Sequence, residues 1–256
     1  PKRDAGAPWP EGGAVSKTLP EGVDGKKLDA ALDFAFEEPD PERPRNTRAV
    51  VVVYKGRIVA ERYGEGFGPH TPLLSWSMAK SVTNTMIGVL VKQGKLDVHQ
   101  PAPVPEWTGA ADPRNKISTD DILRMSSGLG FDETYGAFGD VTDMLFVQHD
   151  AAARAAGTEL EGETGARWSY SSGDTNILSR IVRDVIGDDG AYHRFPTEQI
   201  FRPIGANSAI FETDPSGTFV GSSFVYMTAR DWARFGLLYL NDGVWGDRRI
   251  LPKGWV

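Results

Sequence analysis

The sequence predicts an α+β chain, and two observations carry that prediction. A strand hairpin spans residues 48–63, and helical patterns fill much of the chain after it. A third observation points to chemistry: Ser77-Met78-Ala79-Lys80 stands at the head of a long apolar helical stretch.

The elements follow in order. Residues 1–22 hold Pro8, Pro10, Pro20 and several glycines and are expected to form an extended arm. Leu28, Leu32, Ala35 and Phe36 predict a short amphipathic helix ending before Pro39. Residues 1–47 are thus an arm with a helix, and 48–256 the main domain. Arg48–Tyr54 contains four valines in a row and reads as a strand. Lys55-Gly56 is the turn, and Arg57–Tyr63 returns with Ile58, Ala60 and Arg62 alternating against Val59, Glu61 and Tyr63. Gly64, Gly66 and Gly68 lack the spacing and the following helix of a dinucleotide site.

A region rich in helix is expected over about 77–240. Met78, Val82, Met86, Val89 and Leu90 keep helical spacing, with Ala79, Ile87 and Val91 adding apolar surface, so this helix belongs in a core. Lys92 and Gly94 mark its end. After the loop of Pro101, Pro103 and Pro105, Ser118 with Asp121 predicts a helix start before Ile122, Leu123 and Met125. Residues 130–166 read as irregular with some helix. Thr175–Ile186 predicts an amphipathic helix stopped by Gly187, and Thr228 with Asp231 opens another that turns Trp232, Phe235 and Leu238 inward.

Composition narrows the function. The chain has 256 residues, 40% of them hydrophobic and 25% charged, as in ordinary globular domains. With a net charge of −7 and no basic run, nucleic acid is not an expected partner. No apolar stretch reaches membrane-spanning length. The absence of cysteine excludes disulfides, zinc-thiolate sites and a cysteine nucleophile, and fits a cytoplasmic or a bacterial exported protein. The first residues, Pro-Lys-Arg, carry no initiator Met and no signal peptide. The mature part of an exported precursor would start this way, so periplasm or secretion is the expected location.

Ser77 and Lys80 fall on one face of a helix, three residues apart. A serine hydroxyl attacks only when a neighbouring base takes its proton, and a lysine can be that base. S-x-x-K should occur by chance about once in a chain this long, so context decides. A lysine in the first turn of a buried helix is costly without a partner or a task. The leaving group also needs a proton. Tyr170, in the loop Gly165–Gly173 before a helix, is the candidate shuttle.

These residues together resemble a family. Ser77-Met78-Ala79-Lys80 before a buried helix and Tyr170-Ser171-Ser172 about 90 residues later are similar to the serine β-lactamase and penicillin-binding protein superfamily. The likeness is greatest to the class C-like branch of esterases, D-amino-acid peptidases and 6-aminohexanoate-oligomer hydrolases. Leu73-Leu74-Ser75-Trp76, Met125-Ser126-Ser127-Gly128-Leu129 and Tyr226–Gly236 support it, so the resemblance runs from about residue 45 to Val256.

The resemblance implies an antiparallel sheet flanked by helices, a helical subdomain, and a site between them. It implies Ser77 as the acylated nucleophile, Lys80 as base and Tyr170 as proton shuttle. Ser172 stands where the family often has an amide-binding Asn, and implies a substrate-binding residue with a shorter reach. The family's third motif, Lys-Thr-Gly or His-x-Gly on a late strand, has no match before Leu251-Pro252-Lys253-Gly254-Trp255-Val256. The sheet is therefore expected to be incomplete, finished by residues beyond Val256 or by a partner segment, since a lone hairpin is marginal.

The remaining features are assigned to structure. His70, His99, His149 and His193 form no metal-ligand spacing, and Asp120-Asp121 and Asp188-Asp189 read as a helix start and a turn. No G-x-S-x-G elbow is present. Trp76 and Trp168 flank the two catalytic segments and are assigned to the substrate pocket, leaving five tryptophans for packing. The expected activity is metal-free and cofactor-free hydrolysis of small esters, amides or peptide-like substrates through an acyl-enzyme. The alternatives are a β-lactamase, a D-Ala-D-Ala peptidase-like penicillin-binding protein, or a non-catalytic binding protein of the same fold.

Overall fold

The four-valine run pairs as expected. In the computed structural model, which describes residues 6–16 and 18–256, β1 (Ala49–Tyr54) and β2 (Arg57–Tyr63) form an antiparallel hairpin. Gly56, at φ +75°, makes the tight turn that an L side chain would strain. The register slips between Val52 and Val53, so the simple alternation expected along β2 breaks down: Ile58 is its one buried residue.

The hairpin, the one strand pair clear from the sequence, is one of three small antiparallel sheets among the described residues. β3 (Pro72–Leu74) and β4 (Ile210–Phe211) both pair with β5 (Val225–Thr228). β6 (Val244–Trp245) pairs with β7 (Arg248–Arg249). These strands are two to four residues long, too short for hydrophobic alternation to announce them.

Helices supply most of the core. α1 (Gly25–Phe36) lies before the hairpin and buries only Leu32. α2 (Ala79–Lys92) follows a 3₁₀ turn at Trp76–Met78 and buries Val82, Met86, Ile87 and Leu90. α3 (Thr119–Leu123) starts with a reciprocal Ser118–Asp121 capping box. α4 (Asp140–Phe146) and α5 (Ala151–Ala156) occupy the irregular region. α6 (Ser172–Ile186) begins three residues earlier than its apolar pattern predicts, because the Ser171 side chain caps it by accepting from the Asp174 N–H. α7 (Asp189–Pro196) and α8 (Ala229–Leu240) complete the set. Buried residues of α2, α3, α5 and α6 join one cluster that also holds Trp107, whose Nε1 donates to the Ala156 carbonyl at 2.9 Å. Truncating such a buried tryptophan costs about 3–5 kcal/mol.

The N-terminal segment is not the extended arm expected from its prolines. Pro8 bridges Ala14, and Trp9 is buried with Ile58 and Leu237. Two arginines of α8 fasten it. Arg234 donates to the Pro10 and Gly12 carbonyls, and Arg230 donates to the Gly13 carbonyl while gripping Glu61 of β2 with its other nitrogens. Burial alone would raise the Glu61 carboxyl, but the Arg230 hydrogen bonds and charge hold it below the usual carboxylate range. The expectation for residues 1–5 and 17 lies outside the described residues.

Candidate active site

The site is assembled where α2 meets the strip that leads into β5. Ser75, the last residue before the 3₁₀ turn, exchanges hydrogen bonds with Val225, and its Oγ lies 2.9 Å from both the Ser223 and Trp76 carbonyl oxygens. This clamp holds Trp76 at φ +44°, a left-handed conformation that costs a non-glycine residue about 1–3 kcal/mol. The next residue is Ser77, exposed at the head of α2. Its backbone N–H has no hydrogen-bond acceptor among the described residues.

Lys80 is the second residue of α2, one turn on from Ser77. Its Nζ is 3.3 Å from Ser77 Oγ, 3.0 Å from Ser172 Oγ and 3.2 Å from the Ser222 carbonyl oxygen. Three oxygen atoms, from three separate segments, thus surround the Lys80 amine. Ser222 is fixed by Asn176 of α6, which accepts from its N–H and donates to its Oγ, both at 3.2 Å. Thr83 of α2 donates to the Gly221 carbonyl at 3.0 Å. A Cβ on Gly221 would meet Thr83 Oγ1 at 2.5 Å, so only glycine lets this strip approach α2 closely enough to offer Lys80 a carbonyl.

The Tyr170 loop reaches the same point. Met125, at φ +58°, receives the Ser169 N–H at its carbonyl (2.8 Å), and the Ser171 N–H points at its sulfur (3.2 Å). The Gly165 N–H donates to the Ser126 carbonyl, and Thr164 Oγ1 to that of Ser127. Tyr170 is thereby laid beside Lys80, whose Nζ sits 4.7 Å from the ring centroid. Trp168 packs against Tyr170 at 6.2 Å and is exposed.

Ser172 takes a different position from the one its sequence neighbourhood implies. It is fully buried, with its Oγ accepting from Lys80 and donating to Glu133 Oε1 at 2.6 Å. Its N–H donates to the other Glu133 oxygen, also at 2.6 Å. Its hydroxyl is thus engaged by Lys80 and Glu133 rather than turned toward a substrate amide. Of the other predicted residues, Ser77 and Tyr170 both lie against Lys80, Trp76 precedes Ser77 in the chain, and Trp168 packs on Tyr170.

Glu133, Tyr135, Ser222 and Phe224 join the site without having been foreseen. Glu133 and Tyr135 sit in a loop with no periodicity, pinned by Asp132, which accepts from Thr134 N–H while its own N–H donates to Asp140. Partial burial and the Glu133 carboxylate both push the Tyr135 phenol up. Ser222 and Phe224 are brought in across more than a hundred residues of sequence. The one advance signal was the acidic pair Asp132-Glu133, which has no helix of its own to serve.

Deeper in the same layer, Asp174 accepts from Ser127 Oγ at 2.9 Å, while its Oδ2 is buried with no partner. Burial pushes this carboxyl up to about 7. The described residues contain no cluster of three or more metal-ligating side chains and no helix long and apolar enough to cross a membrane.

The beta-lactamase family profile matches residues 33–255. The chain belongs to the beta-lactamase family. It is similar to a 6-aminohexanoate-dimer hydrolase of Paenarthrobacter ureafaciens, 30% identical over 251 residues, covering 90% of this chain and 61% of the relative. Among solved structures, it resembles a Bacillus anthracis protein provisionally named a 6-aminohexanoate-dimer hydrolase, with a TM-score of 0.71, 25% identity, and coverage of 88% of this chain and 60% of the other. It shares its fold with a D-stereospecific amidohydrolase from Streptomyces sp., at a TM-score of 0.67 and 19% identity, covering 91% and 76% of the two chains. The chain spans about three-fifths of the length of the two dimer-hydrolase relatives. The resemblance drawn from Ser77-Met78-Ala79-Lys80 and Tyr170-Ser171-Ser172 is thus confirmed, as is the family's α+β fold.

Proposed function

We propose that this member of the family is a serine hydrolase that cleaves small esters and amides through an acyl-enzyme on Ser77. One observation carries the reading: Lys80 Nζ is held between Ser77 and Ser172 by acceptors from three separate segments. Lys80 takes the Ser77 proton as Oγ attacks the carbonyl carbon. The C–O or C–N bond breaks with a proton delivered to the leaving atom by Tyr170, and water then releases the acid. The Ser77 N–H, at the positive end of α2, is placed to donate to the developing oxyanion. Ser172 and Glu133 give Lys80 an outlet for a proton, since Ser172 can accept from it while donating to Glu133.

Linear amides related to the 6-aminohexanoate dimer, for which a relative is named, belong in the same substrate class. The test compares p-nitrophenyl acetate and a 6-aminohexanoate dimer with nitrocefin and benzylpenicillin. Faster turnover of the ester or linear amide supports the reading. A preference for the β-lactams of an order of magnitude assigns the protein as a β-lactamase, and binding without turnover of any of them assigns it as a binding protein.

A further inference from the structure

Four aromatic rings, three exposed and the fourth (Phe224) half-buried, form a continuous row that starts beside the nucleophile. Trp76, adjacent to Ser77, meets Tyr135 edge-on at 6.2 Å and Phe224 at 6.2 Å. Phe224 in turn meets Phe146, the last residue of α4, at 6.3 Å. Trp76 is 45% exposed, Tyr135 52% and Phe146 61%. The rings come from four separate segments, so no single amphipathic element accounts for the row. It also stands partly on the Trp76 backbone, which is held in a left-handed conformation. Contiguous apolar surface of this kind is uncommon on soluble proteins unless something covers it.

We infer that this row is the binding track for an extended aliphatic acyl chain, with the chain's carbonyl at Ser77 and its far end on Phe146. The inference rests on the hydrolase reading and adds the substrate's chemistry. Two aromatic groups flank Ser77. In the proposed mechanism Tyr170 delivers the leaving-group proton, which assigns the Tyr170–Trp168 side to the leaving group and the Trp76 row to the acyl side. The acyl group is the part that stays covalently attached next to Trp76 after the leaving group departs. The Glu133 carboxylate beside Tyr135 disfavours a negatively charged chain end. Edge-on and tilted rings present faces and edges to which methylene groups pack without needing a hydrogen bond.

The test is a chain-length series at constant leaving group: p-nitrophenyl acetate, butanoate and octanoate, read as kcat/KM. The expected ratio of octanoate to acetate is about tenfold or more, what burial of roughly two methylene groups supplies. Phe146→Ser and Phe224→Ser should each lower that ratio about fivefold. If Phe224→Ser fails to fold, Phe146→Ser and Phe146→Lys decide it, since that ring is largely exposed. A ratio at or below one in the parent protein, or a ratio that neither Phe146 variant moves, overturns the inference, and concentration-dependent association alongside it would assign the row to a protein contact instead. Labelling of Ser77 by a fluorophosphonate is measured in parallel. Failure of labelling overturns the hydrolase reading itself, whereas labelling with a flat chain-length series overturns only the acyl track.

Discussion

Lys80 sits closer to Ser172 than to Ser77, 3.0 Å against 3.3 Å. The first residue of α6 therefore competes with the nucleophile for the same amine, and Glu133 stands behind it. In the proposed mechanism this makes Ser172 a link in the proton path, with consequences for activity.

Glu133→Gln keeps a group of the same shape while removing the charge. We expect kcat/KM to fall about tenfold, and about as much in Ser172→Ala, with the loss in kcat rather than KM, because the proton path is cut while substrate contacts stay. A loss confined to KM, or no loss in either variant, would show that Glu133 only anchors the loop.

Tyr170→Phe should separate substrates by leaving group. An amide needs a proton on the departing nitrogen, whereas p-nitrophenolate departs without one. The variant is expected to lose roughly a hundredfold or more on an amide and much less on a p-nitrophenyl ester. Equal losses on both would assign Tyr170 to packing around Lys80.

Asp174 sets a stability trend opposite to the usual carboxylate. Its folded-state pKa of about 7 lies above the ordinary 3.8. Between those values the fold holds a proton that the unfolded chain does not, so unfolding releases it. Stability should therefore fall as pH rises from about 4 to 7, by up to about 1.4 kcal/mol per unit from this group. Asp174→Asn should flatten that slope, so its melting temperature relative to the parent should rise between pH 5 and pH 8. A gap between the two proteins that is constant across that range would contradict the assignment.

Arg230 and Glu61 join the N-terminal segment, β2 and α8. Arg230→Met strands a half-buried carboxylate and is expected to destabilise the fold by about 3 kcal/mol, while the double variant with Glu61→Leu recovers much of it. Thermal or urea unfolding of the four proteins in this cycle gives the coupling directly.

What the sequence made legible was local. The Ser77–Lys80 pair, the burial of α2, and the side-chain caps at Ser118 and Thr228 all depend on spacings of three or four residues, which a helix turns into contact. The hairpin was legible because Lys55-Gly56 interrupts two strand-forming runs. Glu133, Ser222 and Phe224 were not, because nothing periodic distinguishes them and only the tertiary fold brings them to Ser172, Lys80 and Trp76 respectively. The N-terminal segment misled for the same reason: its prolines suggested extension, while Trp9 and the two arginines of α8 that hold it are more than two hundred residues apart. Ser172 shows the limit within the motif itself. Its position beside Tyr170 was evident, but its burial under Glu133 depends on a distant loop.

The central claim is that Ser77 is the acylated residue. Lys80→Ala should lower ester turnover roughly a thousandfold with the fold intact, but covalent labelling tests the claim more directly. The protein is treated with a fluorophosphonate, digested and mapped by mass spectrometry, in parallel with Ser77→Ala. The expected result is one adduct on the peptide containing Ser77, absent from the variant, which also loses ester turnover. An adduct on another serine, or full ester turnover by Ser77→Ala, would contradict it.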